Sequence, residues 1–217
     1  MVWQVQMFVQ NSLANGRMKP KHRKGVQMRI AFPSHAGIRR SRPLVMPIKW
    51  IPPDEPWVKL NTNGAFFEET SKAGGGRIVQ DHAGKVLAAF ATPLEAHSAF
   101  EAEHLVIHHG LVIASEFRLT IWVESDAAQT VRLLNGPDWG PAHLCRIMAL
   151  LANHKCNFTI RASFIHREGN KPTYLAKMGL NGVDFQRMNG CSLPRHLKAM
   201  ARLDEMGVPN LRIQEED

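Results

Sequence analysis

Between Trp57 and Ile165 the apolar residues change their period in a fixed order, from two to about 3.6 and back, and few architectures satisfy that order. Val58, Leu60 and Thr62 alternate with Lys59, Asn61 and Asn63, the pattern of a half-buried strand. Gly74, Gly75 and Gly76 open a second strand that continues through Gln80. Asp81 to Gly84 reads as a hairpin turn, and Lys85 to Ala91 as a third strand. A helix is expected from about Ser98 to Ser115, with Phe100, Glu103, Ile107 and Leu111 on one face and Gly110 allowing close packing. Leu119 to Val123 is almost wholly apolar, as suits a central strand covered on both faces. Ser125 or Asp126 then caps a helix through Leu134. Pro137 to Gly140 interrupts it, and Ala142 to His154 restarts helically. Asn157 to Ile165 forms the last strand, followed by a polar loop and a short helix ending at Gly179. Three antiparallel strands followed by a βαβ crossover give an α/β fold, a central mixed five-stranded sheet flanked by helices.

That folded part is bounded by segments of different character. The first fifty residues hold ten Lys or Arg and no Asp or Glu, leaving 17 basic against 19 acidic groups in the rest. The high pI therefore belongs to an N-terminal arm, expected over residues 1–49 and poor in regular structure because of Pro20, Pro33, Pro43 and Pro47. Such an arm attracts polyanions through counterion release, with Lys19, Lys21, Arg23 and Lys24 as its densest run. The run also fits a nuclear-import patch. The acid-free leader has a transit-peptide character too, although it is poor in Ser. Residues 50–180 are expected to be the domain, and residues 181–217 a partly helical tail. No apolar run approaches the ~20 residues that a spanning helix needs, so no membrane partner is expected. Cys145, Cys156 and Cys191 form no CxxC pair and read as free thiols, which suits an intracellular, reducing compartment, nucleus or cytoplasm before an organelle. Nothing points to a protein partner, and a monomer is expected.

The element order leaves four places from which acidic side chains could converge at one end of the sheet. They are the first strand, the first helix, the exit of the fourth strand and the closing helix. Carboxylates converging from separate elements are what two divalent metals about 4 Å apart require for phosphodiester hydrolysis. Lys59 to Ala65, after the Trp50-Ile51-Pro52-Pro53 lead-in, resembles the KLNTDGA strand of plant ribonuclease H-like domains of the reverse-transcriptase-associated type. Gly74 to Asp81 with Gly84 is similar to their second strand and turn. Ala102 and Glu103, with Gly110, Leu111 and Ala114, resemble the acidic first helix. Glu124 to Asp126 resembles the fourth-strand exit, and Phe164 to Asn170 with Leu175 to Gly179 the closing loop and helix.

The resemblance implies Mg²⁺- or Mn²⁺-dependent hydrolysis of the RNA strand of RNA–DNA hybrids, leaving 3′-hydroxyl and 5′-phosphate ends. It also implies that Glu103 and Asp126 are catalytic and metal-holding. The set departs from the family in two places. Asn63 stands where the family has its first aspartate. The closing motif N-x-x-A-D-x-L-A is one residue shorter here, Asn170 to Ala176, and lacks an acid. A weak or inactive enzyme is expected. The alternatives are a non-catalytic module binding hybrid or RNA, or a vestigial retroelement-derived fragment.

Other residues carry weaker expectations. His166 lies where a loop histidine could assist product release, or could simply pack on Phe164. Arg161, Arg167 and Lys171 are candidates for backbone phosphates. Glu124 and Glu101 are candidates to supplement a single metal between Glu103 and Asp126. His104 and His108 lie one helical turn apart, a zinc-compatible spacing without a third ligand.

Overall fold

The computed structural model describes residues 44–214. The basic arm, with Lys19, Lys21, Arg23 and Lys24, lies outside the described residues. The elements run β1 Leu44–Ile48, β2 Val58–Phe67, β3 Lys72–Gln80, β4 Val86–Leu94, α1 Ala99–Ala114, β5 Thr120–Ser125, α2 Ala128–Asn135, α3 Cys145–Asn157, β6 Thr159–Phe164, α4 Thr173–Asn181, β7 Gln186–Met188, α5 Arg195–Glu205 and β8 Asn210–Gln214. The main sheet has the order β6-β5-β2-β3-β4-β7. Strand β2 is central, parallel to β5 and antiparallel to β3. Among the described residues no helix is long and apolar enough to cross a membrane, and the three cysteines are free and exposed.

The five expected strands are present as β2 to β6, and the structure adds a sixth. Residues 186–188 pair antiparallel with the outer edge of β4, Ala89 opposite Met188. The supposed tail is therefore part of the sheet, and α5 buries Leu197 and Ala201 in the same apolar cluster as Ile78, Leu175 and Met188. At the other boundary, Leu44–Ile48 pairs with Asn210–Gln214 in a separate two-stranded ribbon. Pro47 is accommodated because a ribbon leaves alternate N–H groups outside the ladder. The domain thus exceeds residues 50–180 at both ends.

Strand β2 is also more buried than its alternation suggested. Val58 and Leu60 enter the large cluster formed with α1, α3 and β5. The opposite, polar face is buried as well, with Lys59 0%, Asn61 2% and Asn63 4% exposed. Burial is tolerated because the groups satisfy one another. Lys59 Nζ donates to Glu124 Oε1 at 3.0 Å, and Asn61 Nδ2 to Glu124 Oε2 at 2.9 Å. Trp50 Nε1 donates to Asn61 Oδ1 at 3.0 Å. The ammonium of Lys59 lies 3.6 Å from the Trp122 ring centre. Burial lowers the Lys59 pKa, and the Glu124 carboxylate opposes that shift.

Two helices touch the sheet at glycines. A Cβ on Gly64 would lie 2.5 Å from the Glu103 backbone nitrogen, so α1 can approach β2 only at a residue without a side chain. A Cβ on Gly76 would overlap the Pro172 carbonyl and lie 2.7 Å from Leu175 Cβ, which fixes α4 on the opposite face. Gly76→Ala is expected to cost about 3 kcal/mol or more, lowering the thermal midpoint by roughly 6–12 °C. Gly190→Ala, whose Cβ would meet only the Val86 carbonyl at 3.4 Å, should melt like the parent. A thermal melt of both variants checks the contrast.

Candidate functional site

The close approaches at Gly64 and Gly76 bring four positions together at one end of the sheet. Asn63 stands on β2, Glu103 on the first turns of α1, Asp126 just beyond β5, and Thr173 at the start of α4. Counting back from Leu175 and Ala176, Thr173 takes the place of the closing-helix aspartate of the resembled motif. This position was not recognised from sequence because the preceding loop is shorter by one residue. Anchoring the count on the helix would have found it.

The chemistry of the four positions is largely neutral. Thr173 Oγ1 donates to the Asn170 carbonyl at 2.9 Å and lies 3.4 Å from Asn63 Oδ1. Asn63 Nδ2 turns to the Gly64 carbonyl at 3.3 Å. Where two carboxylates would repel each other and demand cations, an uncharged amide and hydroxyl stand side by side. Glu103 is partly buried, and that burial pushes its carboxyl up to about 8. Asp126 adds to the rise, while the Gly64 backbone, the Ser125 hydroxyl and the Arg167 charge oppose it. Ser125 Oγ donates to Glu103 Oε2 at 3.5 Å.

Neither Ser125 nor Asp126 caps the following helix, whose N-cap residue is Ala127 and has no side-chain bond. Ser125 Oγ accepts from the Ala127 N–H at 3.1 Å, before the helix begins. Asp126 Oδ1 accepts from Asn170 Nδ2 at 2.7 Å, and the same amide donates to the Thr62 carbonyl at 2.8 Å. Asn170 thus ties the closing loop to both the β5 exit and the central strand.

The supplementary carboxylates are committed elsewhere. Glu124 holds Lys59, and Glu101 Oε2 accepts from the His97 N–H at 2.7 Å. Among the described residues no group of three His, Cys, Asp or Glu side chains could hold a metal ion. Mg²⁺ sheds water reluctantly and needs anionic oxygens in near-octahedral order. One aspartate, one glutamate, an amide and a hydroxyl do not fit a two-metal centre.

The remaining candidates separate. Arg167 is exposed and close enough to Glu103 to influence it. Arg161 is exposed but stacked between tryptophans, 3.8 Å from the Trp122 ring centre and 4.7 Å from that of Trp57. Lys171 is a correction. It is 4% exposed and pairs with Asp204 of α5, so it is a core group rather than a surface contact for phosphates. His166 stands edge-on to Phe164, with ring centres 5.0 Å apart, and accepts from Arg212 of β8. His104 and His108 face different partners, the Phe100 carbonyl at 2.7 Å and His154 at 2.9 Å, so they form no common site.

The sequence matches the reverse transcriptase-like family over residues 61–179. No curated protein matches it. Solved structures do. One is RNase H1 from the halophilic archaeon Halobacterium salinarum NRC-1, with TM-score 0.53, 19% identity, and coverage of 58% of this chain and 98% of that one. Another is the N-terminal RNase H domain of a Mycobacterium tuberculosis protein, with TM-score 0.53, 20% identity, and coverage of 58% and 94%. A third is LC11-RNase H1 in complex with an RNA/DNA hybrid, with TM-score 0.53, 19% identity, and coverage of 57% and 96%. At these identities the likeness is one of fold.

The raised Glu103 carboxyl gives a signed pH effect. Between its ordinary value and about 8 the unfolded chain is ionised there while the folded chain holds the proton, so stability is lost as pH rises through that window. Glu103→Gln removes this linkage. In metal-free buffer the variant should match the parent near pH 4 and gain an advantage that grows steadily as the pH rises toward 8. Denaturant melts across that range measure the difference, and an advantage that does not grow with pH would refute the protonated glutamate.

Proposed function

The chain belongs to the reverse transcriptase-like family, and from that premise we propose that its RNase H-like domain binds RNA–DNA hybrid or structured RNA without appreciable hydrolysis. The observation that carries this reading is the placement of Asn63 and Thr173 side by side, 3.4 Å apart, at two of the four positions where the resembled motif supplies carboxylates. Binding does not need those charges. It needs a surface matched to the shape and phosphates of the duplex. Arg167 beside the site and the basic residues of the arm, Lys19, Lys21, Arg23 and Lys24, supply phosphate contacts in this reading.

Glu103 and Asp126 are the remnant of the catalytic set. A single Mg²⁺ or Mn²⁺ at them would be weakly held and would leave the second metal position without its ligands. His166, held against Phe164 and Arg212, stays a loop side chain with no assigned step. The likeness to plant retroelement-type domains, with the lost acids and the shortened loop, fits descent from a retroelement enzyme. The chain acts as a monomer in this reading.

The experiment uses a labelled RNA–DNA hybrid with Mg²⁺ or Mn²⁺, the parent protein, Asp126→Asn, and Asn63→Asp/Thr173→Asp. The parent should bind at low salt with salt-dependent affinity and leave the RNA intact. The double aspartate variant should gain metal-dependent cleavage. Cleavage by the parent that Asp126→Asn abolishes would overturn the loss of catalysis, and absence of any saturable binding would overturn the binding role.

A further inference from the structure

The charge of the folded part is not evenly spread. From residue 51 onward acidic groups outnumber basic ones, yet the exposed face of α5 is cationic. Arg195, Lys198 and Arg202 recur at i, i+3 and i+7 and are all exposed, so they form one stripe along the helix. The opposite face carries the buried Leu197, Ala201 and Asp204. None of the three cations is ion-paired with a carboxylate among the described residues. Lys198 Nζ donates only to the Cys191 carbonyl, at 2.9 Å. The exposed acid of this helix, Glu205, sits at its far end, against Gly84. The stripe is about 10 Å long, a length over which a duplex presents roughly six phosphate charges.

The first turn of α5, which carries Arg195, also touches α4 beside the candidate site. Tyr174 follows Thr173 directly and is 43% exposed, with its ring edge-on to that of His196 on the first turn of α5, centres 3.9 Å apart. A backbone leaving the site at Thr173 therefore meets an exposed phenol and then three unpaired cations in a row. Helix α5 lies wholly beyond the family match, which ends at residue 179.

We infer that α5 is a second, phosphate-tracking part of the nucleic-acid interface, in which Arg195, Lys198 and Arg202 hold the backbone of a strand that passes Tyr174. The inference rests on the reading of the domain as a nucleic-acid binder. Contacts of this kind position a strand and carry no sequence information. The ordering of residues 181–214 on the sheet gives the stripe a rigid base, through β7 on β4 and the Lys171–Asp204 pair.

The test is anisotropy of a labelled RNA–DNA hybrid with the full chain across a salt series. The parent is compared with Arg195→Gln/Lys198→Gln/Arg202→Gln and with an equal charge change on the opposite face, Arg118→Gln/Arg146→Gln/Lys155→Gln. The α5 variant should bind about tenfold more weakly near physiological salt, with a log–log salt slope shallower by about 2 to 3. The control should change the slope by less than about 1. If the triple variant melts early, Arg195→Gln/Arg202→Gln replaces it, with an expected slope change of about 2. A folded α5 variant that binds like the parent, or a control that weakens binding equally, overturns this interface while leaving the binding role intact. A parent that binds nothing overturns the binding role as well.

Discussion

The site depends on how closely two helices can approach one pair of strands. At Gly64 the backbone of α1 lies where a side chain would otherwise be, and at Gly76 the start of α4 does the same from the other face. These contacts fix the depth at which Glu103 and Thr173 flank Asn63. Interiors are packed to near-crystalline density, so a single methyl group at either glycine displaces a helix rather than being absorbed. In sequence Gly76 belongs to a run that opens a strand, and in the structure both glycines act as docking surfaces for helices.

Behind this frame runs a buried polar layer that the fold retains. Lys59, Asn61 and Glu124 pair across β2 and β5, roofed by Trp50 and Trp122. A buried ion pair is weak support for stability but strong support for a unique arrangement, since removing either partner strands the other charge. In the neighbouring site the opposite has happened. An amide and a hydroxyl stand where the resembled motif has acids, and burial raises the pKa of the Glu103 carboxyl on α1. The result is a site whose four positions come together while supplying little of the charge that divalent cations require.

The segment after residue 180 changes the molecule more than its lack of motifs suggested. It adds a strand to the β4 edge, buries one face of α5 and returns as β8 to pair with β1. An uncovered sheet edge invites unwanted pairing, and β7 covers part of this one. The same fold-back sets Arg212 against His166, so the closing loop is held from the C-terminal side.

The sequence by itself determined the order of the elements and the five strands from Val58 to Phe164, because their periods of two and 3.6 are local properties of the chain. It also shows Glu103 and Asp126, and the amide Asn63, at positions where the resembled motif has acids. Only the tertiary structure decided what depends on distant residues meeting. Lys171 turned inward because Asp204 reaches it from α5. Lys59 could be buried because Glu124, 65 residues on, faces it. Asp126 is bound by Asn170, which crosses from the closing loop, and Thr173 comes to the fourth position because α4 docks at Gly76. Residues 186–188 carry no strand signal of their own. They become a strand because an open edge of β4 supplies the hydrogen bonds that three residues alone could not sustain.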